Sequence, residues 1–288
     1  MAHASTCSAI SSERDEPMEG TAPERLELTL FLPHPGPWPH DPLDAEGIGG
    51  GGGAINAILQ RYGARLQLIR RPGELLSEAF IARTRRDLYD VRAFTMSEAL
   101  SAEPRCLEAI EQMLSAPERG RPIKEPLHFI CTHGRRDICC TRLGMPVYHA
   151  LREVAGDRVY QTSHLGGHRF APLILTLPLG LSYGRVEADE ARALEESAQR
   201  GEIYNLERLR GVFPYTAEEQ IALRRALADG ADFKHFSVHQ EDELVTVESP
   251  GVTRRYRIRR EPGELRVLSC GTAPSMAPRF AVSELHHE

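Results

Sequence analysis

Residues 129–170 read FICTHGRRDICCTRLGMPVYHALREVAGDRVYQTSHLGGHRF and contain three of the six cysteines and four of the twelve histidines of the chain. The apolar run 127–130 predicts a strand that delivers Cys131 to its end, and the loop THGRRDI then leads to Cys139 and Cys140. Apolar residues at helical spacing follow, and a second strand-like run at 158–161 ends in the loop HLGGH. Two strand-to-loop junctions, each with a pair of metal-ligand side chains, are therefore expected to meet at one end of a sheet.

Composition limits the class of protein. The chain has 288 residues and a net charge of -6 with interspersed acids and bases, so no basic surface indicates binding to nucleic acid or to an anionic membrane. The N-terminal residues lack the hydrophobic stretch of a signal peptide, and no apolar run reaches the roughly 18 residues that span a bilayer. We therefore expect a cytoplasmic protein, in which reduced cysteines serve as metal ligands or redox groups.

The chain divides into four predicted parts. Residues 1–23 are small, polar and acidic and are expected to be disordered. Residues 24–118 alternate strands and helices as an α/β layer does, although the GIGGGGG run within them lacks the features of a phosphate loop and predicts a flexible connection. Residues 119–232 contain the cysteine- and histidine-rich stretch. Residues 233–288 contain short alternating segments separated by SPG and EPG, which predict an antiparallel meander with turns at both tripeptides.

Three cysteines outside the central stretch are not expected to bind metal. Cys7 falls in the segment that is predicted to be disordered, Cys106 lies among apolar residues of a predicted helix, and Cys270 is placed at the end of the last predicted strand. The polar, proline-containing segment 115–126 is the best predicted domain boundary or linker.

The spacing of the central cysteines and histidines predicts a metal or cluster but leaves its kind open. Eight residues separate Cys131 from Cys140, three separate His164 from His168, and 23 lie between the pairs. The loop between the thiols is longer than a zinc knuckle and long enough to surround a larger inorganic core. Zinc and iron-sulfur are both compatible with these residues. A Rieske site is not indicated, because the Cys-Thr-His sequence at Cys131 has no second cysteine-histidine knuckle to match it.

A resemblance narrows these alternatives. CTHGRRDICC followed by SHLGGHRFAP resembles the signature of the sucrase/ferredoxin-like family, which has a thioredoxin-like 2Fe-2S ferredoxin domain and includes the actin-patches-distal proteins. Similar segments over about residues 20–215 extend it, among them LIRRPG, LPLGLSYGRV and LERLRGVFPY. The resemblance implies an α/β, thioredoxin-like ferredoxin fold with an N-terminal α/β half and a C-terminal antiparallel β appendage.

The same resemblance implies the ligands and the function. Cys131 and Cys140 would bind one iron of a 2Fe-2S cluster, and His164 and His168 the other. Such a chain would be a one-electron carrier rather than an enzyme with its own substrate, with a flavin-dependent reductase as the electron donor and an unknown acceptor. Neutral imidazoles make the cluster less negative, so its potential should exceed that of an all-cysteine plant-type ferredoxin, and electron transfer should be coupled to a proton.

Two other classes of function remain as alternatives. A structural zinc protein would use the same four side chains, and a thiol-disulfide oxidoreductase would use Cys139 and Cys140. Polar residues of the first loop are expected to support the ligands, with donors to sulfur and a carboxylate that holds the loop in place. These residues are His133, Arg135, Arg136 and Asp137.

Overall fold

The computed structural model describes residues 6–48, 53–96 and 103–285, and the middle of the glycine run predicted as a flexible connection lies outside them. The helices in these ranges are α1 Cys7–Glu13, α2 Gly53–Tyr62, α3 Glu103–Ser115, α4 Ile138–Ala155, α5 Ala191–Gln199 and α6 Ala217–Ala228. The strands are β1 Leu28–Pro33, β2 Ala64–Arg70, β3 Glu78–Arg85, β4 Leu88–Thr95, β5 Arg121–Ile123, β6 Leu127–Cys131, β7 Val159–Thr162, β8 Leu173–Leu177, β9 Leu181–Gly184, β10 Leu209–Val212, β11 Ser237–Glu241, β12 Leu244–Ser249, β13 Val252–Arg266 and β14 Ser275–Glu284.

One large mixed sheet joins the two predicted α/β parts. Its strand order is β10-β9-β8-β6-β7-β2-β1-β3-β4-β5. Each half of the sheet has two parallel strands linked by a helix, β1-α2-β2 in the first and β6-α4-β7 in the second, followed by an antiparallel hairpin. The halves meet where β2 pairs antiparallel with β7. The predicted α/β class is confirmed, and the structure shows two units of similar topology in one sheet.

The predicted boundary at 115–126 does not separate the sheet. Arg121–Ile123 forms β5, which pairs with β4 at the edge of the sheet. Pro122 lacks an amide hydrogen, and an edge strand tolerates this because one side of the strand needs no partner. A hydrophobic core also spans both halves, since Phe31 of β1 stacks on Phe129 of β6 with ring centroids 4.0 Å apart.

The parallel pairing of β6 and β7 positions the central stretch. Cys131 pairs with Thr162 at the ends of the two strands, so the loops that follow both strands leave the sheet at the same edge. Helix α4 begins in the first of these loops, with the Asp137 carboxylate accepting a hydrogen bond from the backbone N–H of Cys139 as an N-cap. The predicted meeting of the two junctions is confirmed.

The N-terminal segment differs from the expectation of disorder over residues 6–23. Thr6 caps α1 by accepting a hydrogen bond from the backbone N–H of Ala9, and Cys7 is fully buried. Glu16 is buried as well and binds Arg169 and Arg266 as an ion pair. Tertiary contacts with residues far along the chain order this polar segment, and local composition does not reveal such contacts.

The C-terminal antiparallel sheet is confirmed, but one of its strands is longer than the turn signals predict. The strand order is β11-β12-β13-β14, and β13 runs through the EPG tripeptide as a continuous strand. The pairing register of β13 with β14 shifts between Glu261 and Glu264, so EPG forms a bulge rather than a turn. Cys270 consequently lies in the β13–β14 loop and not at the end of the last strand.

The second sheet packs on α6 through a shared apolar core. Val245, Val247 and Tyr256 of this sheet are buried with Ala222 and Ala226 of α6. In the described part of the chain, no helix combines the length and the apolar character needed to cross a membrane.

Candidate metal centre

The predicted ligands converge at the edge of the sheet. The Sγ atoms of Cys131 and Cys140 lie 3.9 and 3.8 Å from Nδ1 of His164. These three ligand atoms all lie within 4.8 Å of one another, and both cysteines are buried. Two soft thiol sulfurs and an imidazole nitrogen thus face a common point, which is the donor chemistry of zinc or iron.

His168 adjoins this group through His164. Its Nδ1 lies 3.3 Å from Nε2 of His164, and the two rings are 4.9 Å apart between centroids. On the other side, Nε2 of His168 lies 3.4 Å from Oδ2 of Asp137, outside hydrogen-bond geometry, and this buried nitrogen has no hydrogen-bond partner. All four predicted ligands are therefore neighbours, with His168 at the periphery of the group.

The side chains of the adjacent Cys139 and Cys140 lie in different groups. Cys140 packs in the apolar core beside Cys131, whereas Cys139 packs beside Cys7 and Cys270. The structure thus brings Cys140, and not Cys139, to the histidines. Cys7 and Cys270, which are not expected from the sequence to bind metal, lie next to each other and to Cys139.

The two thiols of the centre ionise very differently. Burial opposes ionisation of Cys131, but the hydrogen bond from the Cys140 thiol, the His164 ring and the backbone N–H of His133 together hold the pKa of Cys131 well below its usual value. The same hydrogen bond and burial raise the pKa of Cys140. Without a bound ion the pair shares one proton, so binding of a cation to both sulfurs must displace a proton from Cys140.

The HLGGH loop is held in place by the first α/β unit. The carbonyl oxygen of His164 accepts hydrogen bonds from Arg65 and Gln67 of β2, at 2.9 and 3.3 Å. Gln67 also accepts a hydrogen bond from the Ser163 hydroxyl at 2.9 Å. The orientation of His164 therefore depends on β2, a strand distant in sequence from the ligand motifs.

Arg210 supports the same loop from beneath. Its side chain is 1% exposed, and its guanidinium donates a 3.0 Å hydrogen bond to the carbonyl oxygen of Gly166. Burial and the neighbouring Arg169 lower the pKa of Arg210 to about 9, which leaves it charged at neutral pH. Gly167 has a φ of +78°, and a Cβ atom there would collide with the Arg210 guanidinium.

Sequence reasoning missed Arg65 and Arg210 as parts of the centre. The available signal was LERLRGVFPY, which contains Arg210 and resembles a family segment, but no spacing rule connects it to the histidines. Both arginines experience the charge of Cys131, and burial lowers the pKa of both. They place positive charge next to sulfurs that become negative when they bind a metal.

The predicted supporting residues have separate roles. His133 is buried, with Nε2 2.7 Å from the carbonyl oxygen of Pro39 and its ring edge-on to Trp38. Arg136 contacts the ring of His40, and Arg135 is exposed. Asp137 holds the loop, as expected, by capping α4. The connection after β1, which contains no cysteine, thus packs against the cysteine-containing connection after β6.

His164 is the ligand candidate nearest to solvent. It is half-buried and borders an open cavity of about 370 Å³ together with Arg65, Arg136 and His40. A partner or water can therefore approach the centre from the side of His164, while the two cysteines remain covered.

Comparisons with known proteins identify the family of this chain. Residues 25–211 match the family model described as sucrase/ferredoxin-like. One solved structure, a thioredoxin-like 2Fe-2S ferredoxin from Aquifex aeolicus, is similar at 20% identity over 28% of this chain and 86% of its own, with a TM-score of 0.24. Comparison with curated proteins gives no match. The match to the family model spans more than half of the residues, and the chain belongs to the sucrase/ferredoxin-like family.

Proposed function

We propose that this protein carries single electrons through a 2Fe-2S cluster held by Cys131, Cys140, His164 and His168. The observation that carries the proposal is the convergence of two buried thiols and a pair of adjacent imidazoles at one edge of the sheet, in a chain of the sucrase/ferredoxin-like family. A cluster with two cysteines on one iron and two histidines on the other has this donor set.

The cluster would supply the one-electron chemistry, and charges and hydrogen bonds of the protein would set its midpoint potential. The guanidinium groups of Arg65 and Arg210 offset the negative charge of the sulfurs and favour the reduced state. The backbone N–H of His133 directed at Cys131 acts in the same direction, because hydrogen bonds to ligating sulfur withdraw negative charge. Burial of Cys131 and Cys140 excludes water from the thiolates.

Proton coupling is the second part of the proposal. A ligating imidazole that keeps one ring nitrogen free can release a proton when the iron is oxidised, and His164 lies where water can accept that proton. The midpoint potential is then expected to fall by about 59 mV per pH unit above the pKa of the oxidised form. A potential that stays constant with pH, in protein with an intact cluster, would contradict this part alone.

A structural zinc site is the second candidate, and a specific observation favours it. Cys131, Cys140 and His164 have their ligand atoms within 4.8 Å of one another, a separation that also suits a single tetrahedral ion. The third alternative, a disulfide between Cys139 and Cys140, has less support because the two side chains pack in different groups.

The visible spectrum and the iron content of the purified protein distinguish these functions. A 2Fe-2S protein is coloured and contains two iron ions per chain, whereas zinc and thiols give no visible absorption. Cys131→Ser and Cys140→Ser should each abolish the colour, while Cys106→Ser, at a buried cysteine in α3, serves as the matched control. Colourless protein with one zinc ion bound at these residues would overturn the proposal.

The identity of the electron donor is also a proposal. A flavin-dependent reductase would deliver electrons singly, and the open cavity beside His164 would let it approach the ligands. Reduction of the coloured protein by such a reductase, slowed by substitution of Arg136 on the rim but not of Arg119 far from it, would support this donor.

A further inference from the structure

A second group of thiols lies beside the first centre. The Sγ atoms of Cys7, Cys139 and Cys270 form a nearly equilateral triangle with sides of 3.6, 3.4 and 3.5 Å. The Asp137 carboxylate completes the group, with both oxygens 3.7 Å from the sulfur of Cys7, and all four ligand atoms lie within 4.8 Å of one another. These side chains come from α1, α4 and the β13–β14 loop.

The sulfur separations match those of a mononuclear metal site. A tetrahedral ion with metal–sulfur bonds of about 2.3 Å holds its sulfurs about 3.8 Å apart. A disulfide would require about 2.0 Å between two of them and would leave the third sulfur without a partner. A 2Fe-2S cluster holds two protein ligands on each iron, so a third cysteine would lie on the other iron and further from the first two than this triangle allows. The geometry therefore favours one ion bound to all three.

Asp137 has a coordination position available. Its Oδ2 accepts hydrogen bonds from the backbone N–H of Cys270 at 2.8 Å and from the Ser269 hydroxyl at 3.0 Å. Its Oδ1 accepts hydrogen bonds from the backbone N–H of Cys139 at 2.9 Å and from the Cys7 thiol at 3.7 Å, and loss of the Cys7 proton on metal binding leaves a lone pair free for the ion. These bonds fix the carboxylate beside the sulfur triangle, as hydrogen bonds to a ligating carboxylate do in metal sites.

The negative charge of Asp137 and the adjacent thiols also favours binding of a cation. Asp137 and Cys7 are fully or almost fully buried, as is Cys139, and no lysine or arginine forms an ion pair with Asp137 among the described residues. The one basic neighbour of the carboxylate, His168, is not in hydrogen-bond geometry with it. Hydrogen bonds keep Asp137 charged, and thiolates formed beside this buried carboxylate are costly without a compensating positive charge.

We propose that Cys7, Cys139 and Cys270 bind a Zn²⁺ ion, with Oδ1 of Asp137 as the fourth ligand. Three thiolates and one carboxylate are a tetrahedral donor set that suits zinc. Binding displaces the protons that the thiols still hold and forms three Zn–S bonds without a change in oxidation state. The ion can enter through the cavity of about 680 Å³ that Cys139 borders together with Thr6 and Ser8 of the N-terminal segment.

The zinc joins the two ends of the chain to the proposed iron-sulfur unit. Cys7 anchors the N-terminal segment, Cys270 anchors the C-terminal sheet, and both are tied to the first turn of α4, which also carries Cys140. Asp137 contacts both centres, because its Oδ2 lies 3.4 Å from Nε2 of His168. The zinc site would thus fix the position of the loop between β6 and α4, which lies between the ligands Cys131 and Cys140 of the proposed cluster.

Zinc and iron are counted separately in full-length protein produced with both metals, by elemental analysis of the purified chain. We expect one zinc ion per chain, with zinc falling to background in Cys7→Ser, Cys139→Ser and Cys270→Ser while the visible spectrum persists. Cys131→Ser should show the reverse pattern, loss of colour with zinc retained. Cys106→Ser, the matched buried control, should keep both. Because zinc is counted independently of the colour, failure of the electron-transfer proposal leaves this test intact.

Cobalt binding gives a second measurement that does not depend on the metals acquired during expression. Chelator-treated protein titrated with Co²⁺ should develop sulfur-to-cobalt charge-transfer absorption, and Cys270→Ser should lose most of it. Cys270 is the least buried of the three thiols, so this variant is expected to fold. Asp137→Asn, which retains an N-cap oxygen, should weaken binding by more than the roughly 10-fold that follows loss of a group hydrogen-bonded to a ligand, because a neutral amide oxygen replaces a charged one. Zinc unchanged in Cys7→Ser and Cys270→Ser, or a disulfide among the three cysteines found by mass spectrometry, would overturn the proposal.

Discussion

Adjacent cysteines separate into two sites because they lie at the start of a helix. Each helical residue turns by about 100°, so Cys139 and Cys140 leave α4 in different directions. The spacing in the sequence would allow either cysteine to bind metal together with Cys131. Before the structure, only the resemblance to the sucrase/ferredoxin-like family indicates Cys140. Cys7 and Cys270 could not be predicted as neighbours, because 262 residues lie between them and no spacing motif covers that distance.

Arg210 is expected to raise the midpoint potential of the centre. Its buried charge stabilises the reduced state, which has one more negative charge, so Arg210→Met should lower the potential by about 50–100 mV for a charge at this depth. The measurement is a redox titration followed by visible absorption. Arg210→Lys, which keeps the charge, should lower the potential much less, and equal potentials in the wild type and the methionine variant would contradict the assigned role.

Gly167 is expected to be less tolerant of a side chain than Gly166. Both have positive φ, +78° and +86°, so alanine costs about 1 kcal/mol of backbone strain at either position. Only at Gly167 does the new Cβ collide with the Arg210 guanidinium, whereas at Gly166 it meets Pro23 at an ordinary 3.7 Å. Gly167→Ala should therefore lose colour or shift the potential, and Gly166→Ala should only lower the thermal midpoint. The same spectrum and potential in both variants would argue against this contact.

Elements with strong local patterns were predictable, and those ordered by distant contacts were not. LELTLFLP and ARLQLIRRP form β1 and β2, and TAEEQIALRRALADG forms α6 with Thr216 as N-cap. EPG was misread because proline and glycine mark turns and bulges alike, and only the pairing of β13 with β14 distinguishes the two. Order in α1 and in the residues just after it depends on Cys139, Arg169 and Arg185, which are far away in sequence.

A buried glutamate that links α5 to β6 by a hydrogen bond predicts acid sensitivity. Burial would raise the pKa of Glu195, but hydrogen bonds from His128, Arg158 and Gln199 outweigh it and lower the pKa to about 2 from 4.5. This stabilisation is complete above pH 4.5 and is lost as pH falls through 2. Burial lowers the pKa of His128, so the unfolded chain takes up a proton there below pH 6.5. This proton uptake also lowers the stability of the folded state as the pH falls.

Glu195→Gln should therefore lower stability at neutral pH and flatten its acid dependence. The linkage relation gives a difference of about 3 kcal/mol between the wild type and the variant at neutral pH, declining toward pH 2. Urea unfolding midpoints from pH 3 to pH 7 measure it. Glu202→Gln, at an exposed pair with Arg200, should follow the wild type, and parallel pH profiles for Glu195→Gln and the wild type would contradict the prediction.

Two similar α/β units share one sheet, but only the second carries the proposed cluster ligands. The connection after β6 carries the thiols of the proposed cluster, and the equivalent connection after β1 carries prolines, Trp38 and His40. Those residues pack against the cysteine loop through His133 and Arg136. The first unit thus supplies the environment of the second, a relationship that no sequence repeat reveals.

This arrangement predicts that residues 119–288 cannot hold the proposed cluster alone. Removing the first unit takes away β2, which pairs with β7 and binds the carbonyl oxygen of His164 through Arg65 and Gln67. It also uncovers Phe129, which is fully buried and stacks on Phe31 in the intact chain. The fragment should aggregate or purify without iron, as measured by elemental analysis and visible absorption.

A substitution in the intact chain distinguishes loss of folding from loss of the centre. Gln67→Ala removes one donor to the His164 carbonyl and the acceptor for Ser163, and leaves the apolar contact between Phe31 and Phe129 in place. It should destabilise the cluster while the fold persists by circular dichroism. Gln112→Ala, at an exposed site on α3, is the matched control. If the fragment retained full iron and colour, the second unit would be self-sufficient, and β2 would merely pack beside the centre without positioning His164.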